Sequence, residues 1–172
     1  MKKLTTLLLL TGALALAACN NPGRFGKDGG AGAGGADGIT ANGLGDPNDP
    51  NSIAYFNQTI GDRVQFAVDQ STLSAEAQTV LSQQANWLGS HAGYTAIIEG
   101  HADEQGTREY NLALGDRRAN AVKDYLIANG VAGNRLQTVS YGKERPLAVC
   151  SDEACYTQNR RAVTVLGASG GV

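Results

Sequence analysis

Between Asn20 and Pro50 the chain carries ten of its 23 glycines, three prolines and almost no large apolar side chains, so a folded core cannot begin much before residue 51. Such a stretch buries too little surface to offset the entropy of ordering its backbone. It reads as a flexible tether. At about 5–6 Å × √n, roughly 30 residues reach about 30 Å on average and about 100 Å at full stretch. The 172 residues leave room for one compact domain after it and not for two sizeable cores.

Ahead of the tether, Lys2 and Lys3 precede an apolar run from Leu4 to Leu16 and the small residues Ala17 and Ala18. That is the layout of an export signal. Thr5, Thr6, Thr11 and Gly12 interrupt the run, which falls short of the about 20 apolar residues a membrane span needs. Leu16-Ala17-Ala18-Cys19 resembles the bacterial lipobox, which implies removal of residues 1–18 and acylation of Cys19. Acyl chains contribute about 0.8 kcal/mol per buried CH₂, so three would fix the protein to a bilayer. Asn20, rather than Asp, follows the cysteine; resemblance to enterobacterial lipoproteins then implies passage to the outer membrane, with the domain in the periplasm. The formal net charge is −2, and loss of Lys2 and Lys3 makes it more negative. Neither nucleic acid nor anionic lipid is favoured as an electrostatic partner.

From Asn51 the pattern becomes that of a domain ending at Gly167, with 168–172 a frayed tail. Alternation over Arg63 to Val68 predicts a strand with Val64, Phe66 and Val68 on one face. Ser74 caps a predicted helix to Ser90 whose apolar side is Ala77, Val80, Leu81, Ala85 and Leu88, with Trp87 in the core. Strands follow at Tyr94 to Glu99, Leu136 to Tyr141 and Ala162 to Leu166. A helix from Arg108 to Asn129, capped by Thr107 and closed by Gly130, separates the first two of these, and a short helix near Asp152 to Gln158 precedes the last. The order βαβαβ(α)β implies an α+β sandwich, helices packed on one face of a four-stranded mixed sheet.

Within the long helix, Arg118 lies only about 40° from Leu114, inside the apolar stripe formed with Ala121, Val122 and Tyr125. A guanidinium there needs a partner, because an isolated buried charge costs several kcal/mol. Asp103 and Glu104, in the loop entering that helix, are the nearest candidate acids. An acid and an inward arginine beside the free N–H groups of a helix start would form a receptor for a zwitterion: carboxylate to ammonium, guanidinium to carboxylate. Alternatively Asp103 and Arg118 simply pair and pin the loop. Geometry alone leaves both open.

The stretch GHADEQGTREYNLALGDRRANAVKDYL, with VQFAVD before it and SYGKERP and NRRAV after it, resembles the OmpA-like peptidoglycan-binding domain family over roughly residues 60–167. Within that family it looks like the lipid-anchored members of the Tol–Pal system, which share the lipobox and tether. The resemblance implies that Asp103 and Arg118 grip the free amino-acid end of diaminopimelate in the peptidoglycan stem, with Asn111 and Phe66 as further binding positions. It also implies TolB and other Tol proteins as partners, TolB meeting the loop around His101 to Gln105, and a role in envelope integrity and outer-membrane constriction at division. Gly115 stands where the family's LSxxRA pattern has serine, which implies a looser helical turn and a lost hydroxyl contact. Arg160 and Arg161 form the NRR motif, and the sequence does not say which faces the site.

His101, Asp103 and Glu104 match no standard zinc spacing, and His91 is the only other histidine, so neither metal nor cofactor is expected. No nucleophile or poised acid/base pair is recognisable, and an enzyme is not expected. With Cys19 acylated, Cys150 and Cys155 remain, and exported thiols tend to be oxidised. A Cys150–Cys155 disulfide is expected, worth about 2 kcal/mol for so short a loop.

Overall fold

The computed structural model describes residues 44–168. The expected signal, Cys19 and the tether up to residue 43 lie outside the described residues. Helix α1 (Ile53–Tyr55) runs into a π-helical turn, Phe56–Gly61. There follow β1 (Arg63–Gln65), α2 (Ala75–Ser90), β2 (Tyr94–His101), α3 (Arg108–Ala128), a 3₁₀ turn at Gly133–Arg135, β3 (Leu136–Gly142), α4 (Glu153–Asn159) and β4 (Arg161–Ala168). The sheet order is β1-β4-β2-β3, with β2 and β3 parallel and the other pairs antiparallel. This is the expected α+β architecture: the parallel pair is joined by α3, which crosses back over both strands.

Ser74 Oγ accepts from Ala77 N at 3.2 Å to start α2, and Thr107 Oγ1 accepts from Tyr110 N at 3.2 Å to start α3. Buried Ala77, Leu81, Ala85 and Leu88 recur at helical spacing on α2. They meet Val64, Ala96, Ile98, Val122 and Leu126 in one core. Gln84 sits fully buried within that apolar face, and both ends of its amide are used: Nε2 donates to Gly61 O at 2.6 Å, and Oε1 accepts from Thr164 Oγ1 at 2.8 Å. The opposite sheet face leaves Ile97 and Val165 exposed.

Three details differ from the sequence expectation. Residues 44–50, assigned there to the tether, are fastened to the domain: Ala54 N donates to Leu44 O at 2.8 Å, and Trp87 Nε1 donates to Pro50 O at 2.7 Å. At the other end Ala168 pairs with Tyr94 in β4, so it belongs to the sheet rather than a frayed tail; residues 169–172 lie outside the described residues. Val68 does not share the face of Val64 and Phe66. The strand stops at Gln65, the chain turns through Asp69 at φ 55°, and Val68 is exposed.

Gly115 is not a loose turn either. A Cβ built on Gly100 would run into the Gly115 carbonyl, and one on Gly115 would lie 2.8 Å from Gly100 O and collide with Ser140 Oγ. The paired glycines bring α3 into backbone contact with β2, and that approach sets the depth of Arg118 three residues on.

Candidate functional site

Arg118 projects from α3 into a fully sealed position at the C-terminal end of β2. Its partners are main-chain carbonyls rather than a carboxylate. Nε donates to Gln70 O at 2.8 Å, Nη1 to His101 O at 2.8 Å and Nη2 to Ala67 O at 3.1 Å. Three of its five N–H donors are therefore committed. The Phe66 ring centroid lies 5.2 Å from its Cζ, within cation–π range. The turn at residues 67–70 is thus wrapped around the guanidinium, which explains why β1 is short and Val68 turns outward. Burial pulls the Arg118 pKa down to about 10, with Asp103 opposing and Arg160 adding to the fall. The group keeps its charge at neutral pH.

Asp103 pairs with Arg160 instead of Arg118. Its Oδ2 accepts from Arg160 Nη1 at 3.2 Å and its Oδ1 from Gln105 N at 3.1 Å, and both side chains are about nine-tenths buried. Asp103 is still the largest charge acting on Arg118. A carboxylate offers about four lone-pair directions, so these two bonds do not exhaust it. Arg160 also donates from Nε to Phe66 O at 3.3 Å and from Nη2 to Thr157 Oγ1 at 2.9 Å and to Glu153 Oε1. Burial works against its charge, but Glu153 and Asp103 outweigh burial and raise its pKa.

The loop bearing Asp103 is built to hold still. Buried Asn111 donates from Nδ2 to Gln105 O at 2.7 Å, and Lys143 Nζ donates to Gly106 O at 2.7 Å and Glu104 O at 3.3 Å. Gly106, at φ 88°, makes the reversal into α3. Asn111 and Phe66 therefore lie within the site as supports, each buried, one under the loop and one under Arg118.

The two NRR arginines diverge. Arg160 faces Asp103, whereas Arg161 turns to the other sheet face, donating to Asn159 O at 3.3 Å and Arg145 O at 3.2 Å. His101 lies on that side too, fully buried, with Glu99 Oε2 3.5 Å from Nε2 but no hydrogen bond to either ring nitrogen among the described residues. Burial first, then the Arg161 and Arg145 cations, lower its pKa to about 4, so the ring is neutral at pH 7 and the Glu99 contact is not an ion pair. Cys150 and Cys155 are joined in a disulfide with Cα atoms 5.7 Å apart.

The arrangement sets a buried anion and two buried cations within one loop cluster, a geometry able to hold a small zwitterion. Comparison with known proteins points to one family. The OmpA family pattern matches residues 65–160. A peptidoglycan-associated lipoprotein of Mesorhizobium japonicum is 57% identical over 121 residues, 70% of this chain and 72% of that protein. One from Agrobacterium fabrum is 48% identical over 164 residues, covering 95% of this chain and 88% of its own length. The crystal structure of the peptidoglycan-associated lipoprotein from Burkholderia pseudomallei superposes with a TM-score of 0.64 at 42% identity, covering 72% of this chain and 98% of that one. The chain belongs to the peptidoglycan-associated lipoprotein family, and its folded part is an OmpA-family domain.

Proposed function

We propose that this protein is an outer-membrane lipoprotein that binds peptidoglycan non-covalently and has no catalytic role. The observation carrying this is the buried Asp103 carboxylate, fixed by Gln105 N and Arg160 with the Arg118 cation behind it. Asp103 would receive the ammonium of the free diaminopimelate end, and Arg118, with N–H donors left over, would draw in its carboxylate. Because Arg118 is sealed in the free protein, the 67–70 turn would yield as the carboxylate arrives. Asn111 and Phe66 would act from behind, holding the loop and the guanidinium.

An acylated Cys19 would supply the second anchor and the segment after it the reach, so that the outer membrane is tied reversibly to the wall. The Tol–Pal assignment, with TolB sharing this face and a part in constriction at division, follows from the same resemblance. Exposed Tyr110, whose hydroxyl donates to Asp69 at 3.3 Å, and exposed Val68 and Val149 give the surroundings of the site the apolar character a protein partner would use.

Co-sedimentation with purified sacculi tests the reading, wild type beside Asp103→Asn. This substitution keeps the shape and removes the charge. Wild-type pelleting that the variant loses, with both folded by circular dichroism, supports it; equal pelleting places the site elsewhere.

A further inference from the structure

The elements behind Asp103 carry a feature that wall binding alone does not use. Helix α4 has seven residues, well under the about 12–15 at which isolated helices become stable, so its place depends on ties at its ends. Its C-terminal end is fastened by Asn159, whose Oδ1 accepts from Leu147 N at 2.8 Å and Ala148 N at 3.0 Å. Its first turn is fastened by the Cys150–Cys155 disulfide and by the cap in which Cys155 N donates to Asp152 Oδ1 at 3.1 Å. That first turn carries Glu153, and the next turn Thr157, the two α4 side chains that orient Arg160. Arg160 in turn holds Asp103. A second link runs from inside the disulfide ring, where Ser151 Oγ donates to Glu104 Oε1 at 2.9 Å.

We propose that the Cys150–Cys155 disulfide positions Arg160 on Asp103, so that its reduction weakens peptidoglycan binding; this rests on the wall-binding reading above. The bond is open to a thiol. Cys150 is partly exposed and adjoins Val149, which is 84% exposed, whereas Cys155 is buried. A dithiol reductant reacts in two steps. One thiolate attacks the Cys150 sulfur and Cys155 leaves as a thiolate. The second reductant thiolate then attacks its own partner in the mixed disulfide and releases Cys150. Two electrons and two protons pass to the protein, and the reductant departs as a cyclic disulfide. The first turn of α4 then loses its brace, Glu153 moves off Arg160, and the Asp103 carboxylate is no longer fixed.

The test is the apparent Kd of the full-length protein for sacculi in detergent, air-oxidised and after dithiothreitol, in wild type and in Arg160→Ala, with thermal unfolding followed in parallel. Reduction should weaken wild type by about tenfold while it remains folded. Arg160→Ala should be weak already and indifferent to reduction, because the route is cut. A merely stabilising disulfide would lower Tm in both proteins and leave the wild-type Kd unchanged, which overturns the proposal. The same fold-loss in Arg160→Ala as in wild type also overturns it. Oxidised wild type that fails to bind sacculi at all would sink the wall-binding reading and this proposal with it. Cys150→Ser/Cys155→Ser should match reduced wild type without any reagent.

Discussion

Each end of β2 abuts an arginine that donates to three main-chain carbonyls, yet the two ends are built differently. At the Tyr94 end Arg135 donates to Tyr94 O at 2.8 Å, Leu88 O at 2.9 Å and His91 O at 2.8 Å. Its surroundings are aromatic: His91 stacks on Trp87 at 4.0 Å, and Tyr94 lies 5.1 Å from Trp87. The chain before α1 is fastened there, through Pro50 and Asn51. At the His101 end Arg118 makes the same three-carbonyl pattern, but fully buried and beside Asp103 and Arg160. Arg135 shows that carbonyl dipoles can hold a guanidinium in this fold. Asp103 is therefore not needed to satisfy the N–H donors of Arg118; it pairs with Arg160 and sets a negative charge beside Arg118. One end of the strand is a fastening, and the other gathers the buried charges proposed to receive a zwitterion.

The largest expected effect separates these ends by stability. Arg118→Ala removes three hydrogen bonds and empties the place of a fully buried side chain, and should cost about 3–5 kcal/mol in urea unfolding. Arg135→Ala, at a half-buried site where water can replace the side chain, should cost about 1–2 kcal/mol. A larger loss at Arg135 would mean that the Tyr94 end, not the His101 end, holds the more deeply buried guanidinium. Acid should next destabilise the fold through His101. Its folded pKa of about 4 lies below the ordinary 6.5, so the unfolded chain takes up the proton first. Stability is whole above about pH 6.5 and falls by about 3 kcal/mol as pH drops to 4. Urea midpoints of wild type and His101→Gln across that range check this, since the variant should lose most of the slope. Gly115→Ala should cost about 1–3 kcal/mol by forcing α3 off β2, read as a lowered Tm. The smallest effect belongs to the fastening. Trp87→Phe removes one hydrogen bond, about 1 kcal/mol, and should speed amide exchange at Ser52 and Ala54 while leaving sacculus binding intact.

Much of this was legible in the sequence because local rules act at short range. The Ser74 and Thr107 caps, the apolar spacing of α2 and the glycine closing α3 each declare themselves within a few residues. Arg118 was legible as a buried cation from its helical angle alone. Its partners were not, because carbonyls of Ala67 and Gln70 come from a turn some 50 residues away and every residue type carries one. The same reason hid the choice between Arg160 and Arg161. Both are long cations at the start of a strand, and only the sheet pairing turns Arg161 to the open face while Arg160 meets Asp103. Residues 44–50 read as tether because their order comes from Trp87 and Ala54, not from apolar side chains of their own.

Calorimetric titration with two stem peptides decides whether the His101 end of β2 receives a zwitterion. One peptide ends in free diaminopimelate, and the other carries lysine, which keeps the ammonium and lacks the carboxylate. Paired recognition by Asp103 and the arginine behind it requires that the diaminopimelate peptide bind and the lysine peptide be weaker by about a hundredfold or more. Equal affinity for the two would contradict it, leaving Asp103 and Arg118 as parts of the scaffold alone.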